Sequence, residues 1–147
     1  MKITWLGHSG FRIETGGQVL LVDPWLRGNP SFDEAHFDRA IEGATHILIT
    51  HGHGDHASTA PEIAKATGAP VIGIYDWVTW ITEAEGIEGT GMNKGGTVTL
   101  GAVKATMVNA VHSSSVSGPG GQPVYAGAEA GFVIQSGDFF FYVTAAT

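Results

Sequence analysis

Apolar residues recur along the chain in short runs with turns between them. KITWLG (residues 2–7), FRIET (11–15) and VLLVDP (19–24) read as consecutive strands, with TGGQ as a hairpin turn between the second and third. PSFDEAHFDRAIEG (30–43) is polar and reads as a loop with some helix. THILIT (45–50) is a compact apolar run, the pattern of a buried strand. DHASTAPEIAKATG (55–68) predicts a helix with Pro61 in its first turn and Gly68 as its stop. APVIGIY (69–75) predicts a strand, and DWVTWITEAEG (76–86) a helix capped by Asp76. Segments 95–110 and 130–144 read as strands, and 113–131 as one long loop of the kind that is usually functional or mobile. The order, strands then strand–helix–strand–helix then strands, predicts an α/β layered fold with mixed sheets and helices on the outer faces, in a single domain over 1–147.

Composition narrows the function. Apolar residues are 43% and charged residues 14%, as in a globular chain. The net charge of -7, with seven Lys and Arg, opposes a nucleic-acid footprint, which needs clustered positive charge. Cysteine is absent, so thiolate metal sites and disulfides are excluded. The apolar runs are too short to span a bilayer, and MKITWLGHSGF lacks the apolar core of a leader; a cytoplasmic location is the default expectation.

The chemistry concentrates in THGHGDHAS (50–58). His51, His53, Asp55 and His56 lie within six residues, directly after a buried strand, where ligand sites of α/β folds form. Gly52 and Gly54 let the backbone turn so that alternate side chains converge. Neutral imidazoles with a carboxylate suit Zn²⁺, Mn²⁺ or Fe²⁺. His112 also follows a strand. His8 stands at a strand end and is a candidate pocket residue. His46 falls in a buried strand and is expected to be a satisfied core histidine, and the four tryptophans are expected in the core or the pocket wall. No G-x-S-x-G elbow accompanies the serines of HSSS (112–115), so Ser113 is at most a pocket residue.

H-x-H-x-D-H is the signature of the metallo-β-lactamase fold superfamily. With MKITWLGHSGFRIE, LVDPWLRGNP, GMNKGG and HSSS, the chain resembles the small bacterial metal-dependent hydrolases of the UPF0173 type, related to the lactonase-like branch, from Met1 to about Tyr142. The resemblance implies an αββα sandwich, here its first half plus the start of the second. It implies that His51, His53 and His112 bind one divalent metal, with zinc first and manganese or iron as alternatives. Asp55 and His56 would bind a second. Asp23 would stand behind a ligand and orient it, and Asp55 is the candidate to handle a proton. The implied activity is hydrolysis of a small-molecule ester, lactone, amide or phosphodiester by a metal-activated water.

The resemblance also implies a motif like Y-H-x-G-D-T, whose Asp bridges the two metals, and a later His. Here Tyr142 is followed by VTAAT, and Asp138 lies at the opposite end of its strand. The codons CAC GGC GGC GAC A, read one base late, encode the Thr-Ala-Ala-Thr that ends this sequence rather than His-Gly-Gly-Asp. A frameshift truncation is therefore expected, with deliberate shortening as the alternative. The second metal would keep only Asp55 and His56, so one metal rather than two is expected to bind. Uncovered apolar surface would favour homo-oligomers, and the competing expectation is a non-catalytic metal-binding remnant.

Overall fold

In the computed structural model, which describes residues 1–145, the N-terminal stretch forms three antiparallel strands, β1 (Lys2–Trp5), β2 (Phe11–Thr15) and β3 (Gln18–Val22). Thr15 pairs with Gln18, and Gly16 and Gly17 close the turn at φ of 56° and 76°, the mirror-image geometry that matches strand twist. A polar stretch containing a short 3₁₀ turn leads to α1 (Phe37–Ile41). β4 (His46–Leu48) then joins β3 in parallel. α2 (Gly54–Ala57), α3 (Ala60–Thr67), β5 (Val71–Ile74), α4 (Tyr75–Glu85) and β6 (Gly89–Met92) complete the first half. The first sheet has the order β1-β2-β3-β4-β5-β6, antiparallel at one end and parallel at the other.

The second sheet, β12-β11-β8-β7, is antiparallel throughout and contains β7 (Thr97–Leu100), β8 (Val103–Asn109), β11 (Ala130–Ser136) and β12 (Phe139–Val143). Between β8 and β11 lies a separate small hairpin, β9 (Ser115–Ser117) with β10 (Pro123–Tyr125). Period-2 patterning sends Val103, Ala105, Met107, Phe132 and Ile134 into one core shared with Ile13, Leu20 and Val22 of the first sheet. Phe11 stacks edge-on against Phe141 at 5.6 Å, and Thr15 Oγ1 meets Ser136 Oγ at 2.7 Å, so the two sheets pack face to face.

α4 covers β5 and β6 with Trp77, Val78 and Ile81. The expectation that helices cover the outer faces holds for the first sheet only. Among the described residues the outer face of the second is open, with Phe140 and Tyr142 exposed. No helix there is long and apolar enough to cross a membrane.

Four sequence expectations need correction. The helix over 55–68 is two pieces, because Pro61 has no N–H to give to the carbonyl of Ala57, and α3 then ends at Gly68 in the left-handed conformation. Asp76 does not cap α4. The helix starts at Tyr75 after an extended Ile74, and Asp76 lies in the first turn, where its charge still suits the helix dipole. The loop 113–131 contains the β9–β10 hairpin. Of the tryptophans, Trp77 is core, Trp80 lines a groove beside α4, Trp25 is half-buried and Trp5 is mostly exposed. β6 went unread because Gly89 and Gly91 resemble turn residues. A side chain at Gly89 would meet Thr82 and Val78 at 2.8 Å, so glycine lets the strand pass beneath α4. The final two residues of the VTAAT ending lie outside the described residues.

Candidate metal centre

Four chain segments deliver polar side chains to one end of the strands. Asp23 follows β3, and its N–H donates to the carbonyl of Leu48 at the end of β4. Thr50 and His51 follow β4, His112 follows β8, and His8 sits in the turn between β1 and β2. β3, β4 and β8 are anchored by buried apolar residues, so their ends are fixed platforms.

His51, His53 and His112 converge. Their donor atoms lie within 4.8 Å of one another, and the ring centroids of His51 are 4.6 Å from His53 and 4.7 Å from His112. His51 is buried, and its Nε2 has no hydrogen-bond partner. An orphaned buried nitrogen is costly unless something takes its lone pair. The opposite nitrogen fixes the tautomer. Thr50 Oγ1 donates to Asp23 Oδ2 at 2.6 Å, so its remaining lone pairs face His51 Nδ1 at 2.8 Å, which must carry the proton. The lone pair of Nε2 therefore points toward His53 and His112. Burial, followed by the neighbouring His56, His53, His112 and His8, pushes His51 down to about 3 from an ordinary 6.5. Burial and His112 also lower His53. These imidazoles stay neutral at pH 7, the form in which they ligate. A divalent metal fits this donor set.

A second group forms from His8, Asp55 and His56, again with donor atoms within 4.8 Å. His8 Nε2 lies 3.1 Å from Asp55 Oδ2, and His56 Nε2 lies 3.9 Å from Asp55 Oδ1. Asp23, His51 and His56 also cluster, fully buried. That third group is already satisfied: Asp23 accepts from the Thr50 N–H and hydroxyl and meets His56 Nδ1 at 2.9 Å. Asp23 thus stands behind both histidines, touching His56 directly and His51 through Thr50. It is not a bare turn residue.

Among the described residues, the only non-glycine residues with φ in the left-handed region are His8 (52°) and Asp23 (43°). Both are types that tolerate this region, and both are in this site.

The wall beside His53 and His112 is clamped by Ser114. Its buried hydroxyl accepts from the Gly52 N–H at 3.0 Å and faces the carbonyl of Ala126 at 3.4 Å. A Cβ on Gly52 would sit 2.8 Å from that of Ala126, so only glycine allows this approach. Ser113 is exposed, with its hydroxyl 3.5 Å from His53 Nε2, at the margin of a hydrogen bond. Asp55 is half-exposed. His46 is half-buried with Nδ1 against Thr45 Oγ1 at 3.2 Å, away from the site. Sequence reasoning missed Thr50 and Ser114. The adjacency of Thr50 to His51, and the place of Ser114 two residues after His112, was the only signal.

Residues 2–143 match the beta-lactamase superfamily domain. The chain belongs to that family. Among its relatives, a UPF0173 metal-dependent hydrolase of Cereibacter sphaeroides is 59% identical over the whole chain, which spans 64% of that relative's length. The same holds for one of Dinoroseobacter shibae at 58% identity. Igni18, a metallo hydrolase from the archaeon Ignicoccus hospitalis, superposes with a TM-score of 0.80 at 27% identity, over 99% of this chain and 60% of its own.

Proposed function

We propose that this chain carries the metal centre of a hydrolase acting on small-molecule esters, lactones or amides. The observation that carries the reading is the buried, unpartnered Nε2 of His51, aimed between His53 and His112. These three imidazoles would hold one divalent metal, zinc by donor chemistry, with manganese or iron as alternatives. Such a metal supplies Lewis acidity, lowering the pKa of water and polarising the scissile oxygen.

The chain's own residues do the rest. Thr50 and Asp23 hold His51 in the tautomer that presents Nε2. Asp55, half-exposed, stands next to His53 in a cavity of about 290 Å³ walled by Ser115, Ser117, Gly121 and Pro123, and is the residue placed to accept or return a proton. That cavity, and the groove of about 280 Å³ on the other side of Gly54, are lined by no Lys or Arg among the described residues. With no cationic side chain there, only the metal itself would neutralise a phosphate, which favours the uncharged carbonyl substrates over phosphodiesters.

The test is elemental analysis of the purified chain, with a panel of esters, lactones, amides and phosphodiesters. Bound metal that is lost in His51→Ala and His112→Ala, with turnover of carbonyl substrates, is expected. A metal-free chain after exposure to zinc, manganese and iron would overturn the ligand assignment. Metal without turnover would favour the non-catalytic binding module.

A further inference from the structure

We propose that His8 is a metal ligand, completing a second site with Asp55 and His56. The inference rests on the metal reading above, and goes beyond it by giving the second position a third protein donor. Counted along the H-x-H-x-D-H motif, this position has only two donors in the chain. The fold supplies another from 47 residues upstream of Asp55.

The geometry is that of donors around one ion. Two ligands of a tetrahedral zinc are about 3.3 Å apart, given metal–ligand lengths near 2 Å. His8 Nε2 and Asp55 Oδ2 are separated by 3.1 Å. His56 is tied through Nδ1 to Asp23, so its free nitrogen is Nε2, which faces the other carboxylate oxygen of Asp55 at 3.9 Å. All three donors lie within 4.8 Å of one another. Three protein donors with an open position is the arrangement of catalytic zinc.

His8 is held there rather than merely near. Its backbone adopts φ of 52°, a conformation that costs energy in a non-glycine residue and persists where surroundings enforce it. The enforcement is visible. Leu6 N–H donates to the Gly10 carbonyl, Gly10 N–H donates to the Gly7 carbonyl, and the Trp5 indole donates to the carbonyl of His8 itself at 2.9 Å. The imidazole packs edge-on against Trp25 at 5.4 Å and His56 at 5.1 Å. A strained, braced and partly exposed imidazole facing a carboxylate has its orientation fixed before any ligand arrives.

The test titrates zinc, and separately Co²⁺ with its visible absorption, into chelator-treated chain. The variants are His8→Asn and His8→Gly, both compatible with the left-handed backbone. Wild type is expected to take up about two equivalents in two steps. Either variant that keeps its circular dichroism should retain the first step and lose the second, with at least a tenfold drop in affinity there. Asp55→Asn should lose that same step. Two unchanged steps in the His8 variants, or a single step in wild type, would overturn the role of His8 while leaving the first site standing. No uptake at all by wild type would instead remove the metal reading itself.

Discussion

The Asp23 carboxylate meets the Nδ1 of His56 at 2.9 Å, in a pair that is 33 residues apart in sequence and wholly buried. The same carboxylate reaches His51 through the hydroxyl of Thr50, so one side chain orients two histidines. Asp23→Asn keeps the volume and tolerates the positive φ, but places an amide NH₂ where an acceptor is needed. Metal affinity is expected to fall about 10–100-fold, as for other groups that orient ligands. Chelator competition measures it. Unchanged affinity would show that Asp23 only ties the strands together.

Thr50 isolates the relay. Thr50→Val removes the hydroxyl, leaving His51 Nδ1 without a buried partner and Asp23 Oδ2 with only His56. Metal-free protein should lose about 1–3 kcal/mol of stability in urea, and Thr50→Ser should recover most of it. Equal losses in both variants would point to packing instead.

Gly52 and Gly54 make a matched pair. An added methyl at Gly52 would collide with Ala126 at 2.8 Å and approach Trp77 at 3.3 Å, whereas at Gly54 nothing lies within 4 Å. Gly52→Ala is expected to cost about 1–3 kcal/mol and to weaken the first metal site by displacing the wall held by Ser114. Gly54→Ala should be close to neutral in thermal melting. A neutral Gly52→Ala would show that the 113–126 segment gives way freely.

Acid should destabilise the metal-free fold through His51. Its folded-state pKa of about 3 lies below the ordinary 6.5, so between these values the unfolded chain binds the proton and the folded one does not. The stability it contributes is present above pH 6.5 and lost as pH falls toward 3, with a slope of at most about 1.4 kcal/mol per pH unit from this group. Urea titrations at pH 7 and pH 5 on wild type and His51→Gln check this. The variant should show the shallower dependence, and identical slopes would contradict it.

Phe140 and Tyr142 project from β12, an edge strand, with 65% and 59% of their surfaces exposed. Adjacent exposed aromatics on an edge favour association. The chain is expected to self-associate with rising concentration in sedimentation velocity, and the double variant F140K/Y142K to shift it toward monomer. Monomer for wild type at all concentrations would sink this expectation.

The sequence determined the elements whose cause is local. Alternation set β1 and β2, paired glycines set the hairpin from β2 to β3, and the apolar runs of β3 and before His51 set buried strands, the latter ending at the histidines. The H-x-H-x-D-H spacing brought forward His51, His53, Asp55 and His56, because ligands on one turn are neighbours along the chain. The tertiary structure alone decided the remainder. β6 is a strand because β5 and α4 recruit it, despite glycines that read as a turn. Thr50 and Ser114 carry no signature of their own, since a hydroxyl becomes a relay or a clamp only when a partner arrives from elsewhere. In the sequence His8 is a candidate pocket residue at a strand end, with no partner in view. Its role depends on the loop between β1 and β2 standing across the strand ends from Asp55, a juxtaposition set by sheet order, which no local pattern encodes.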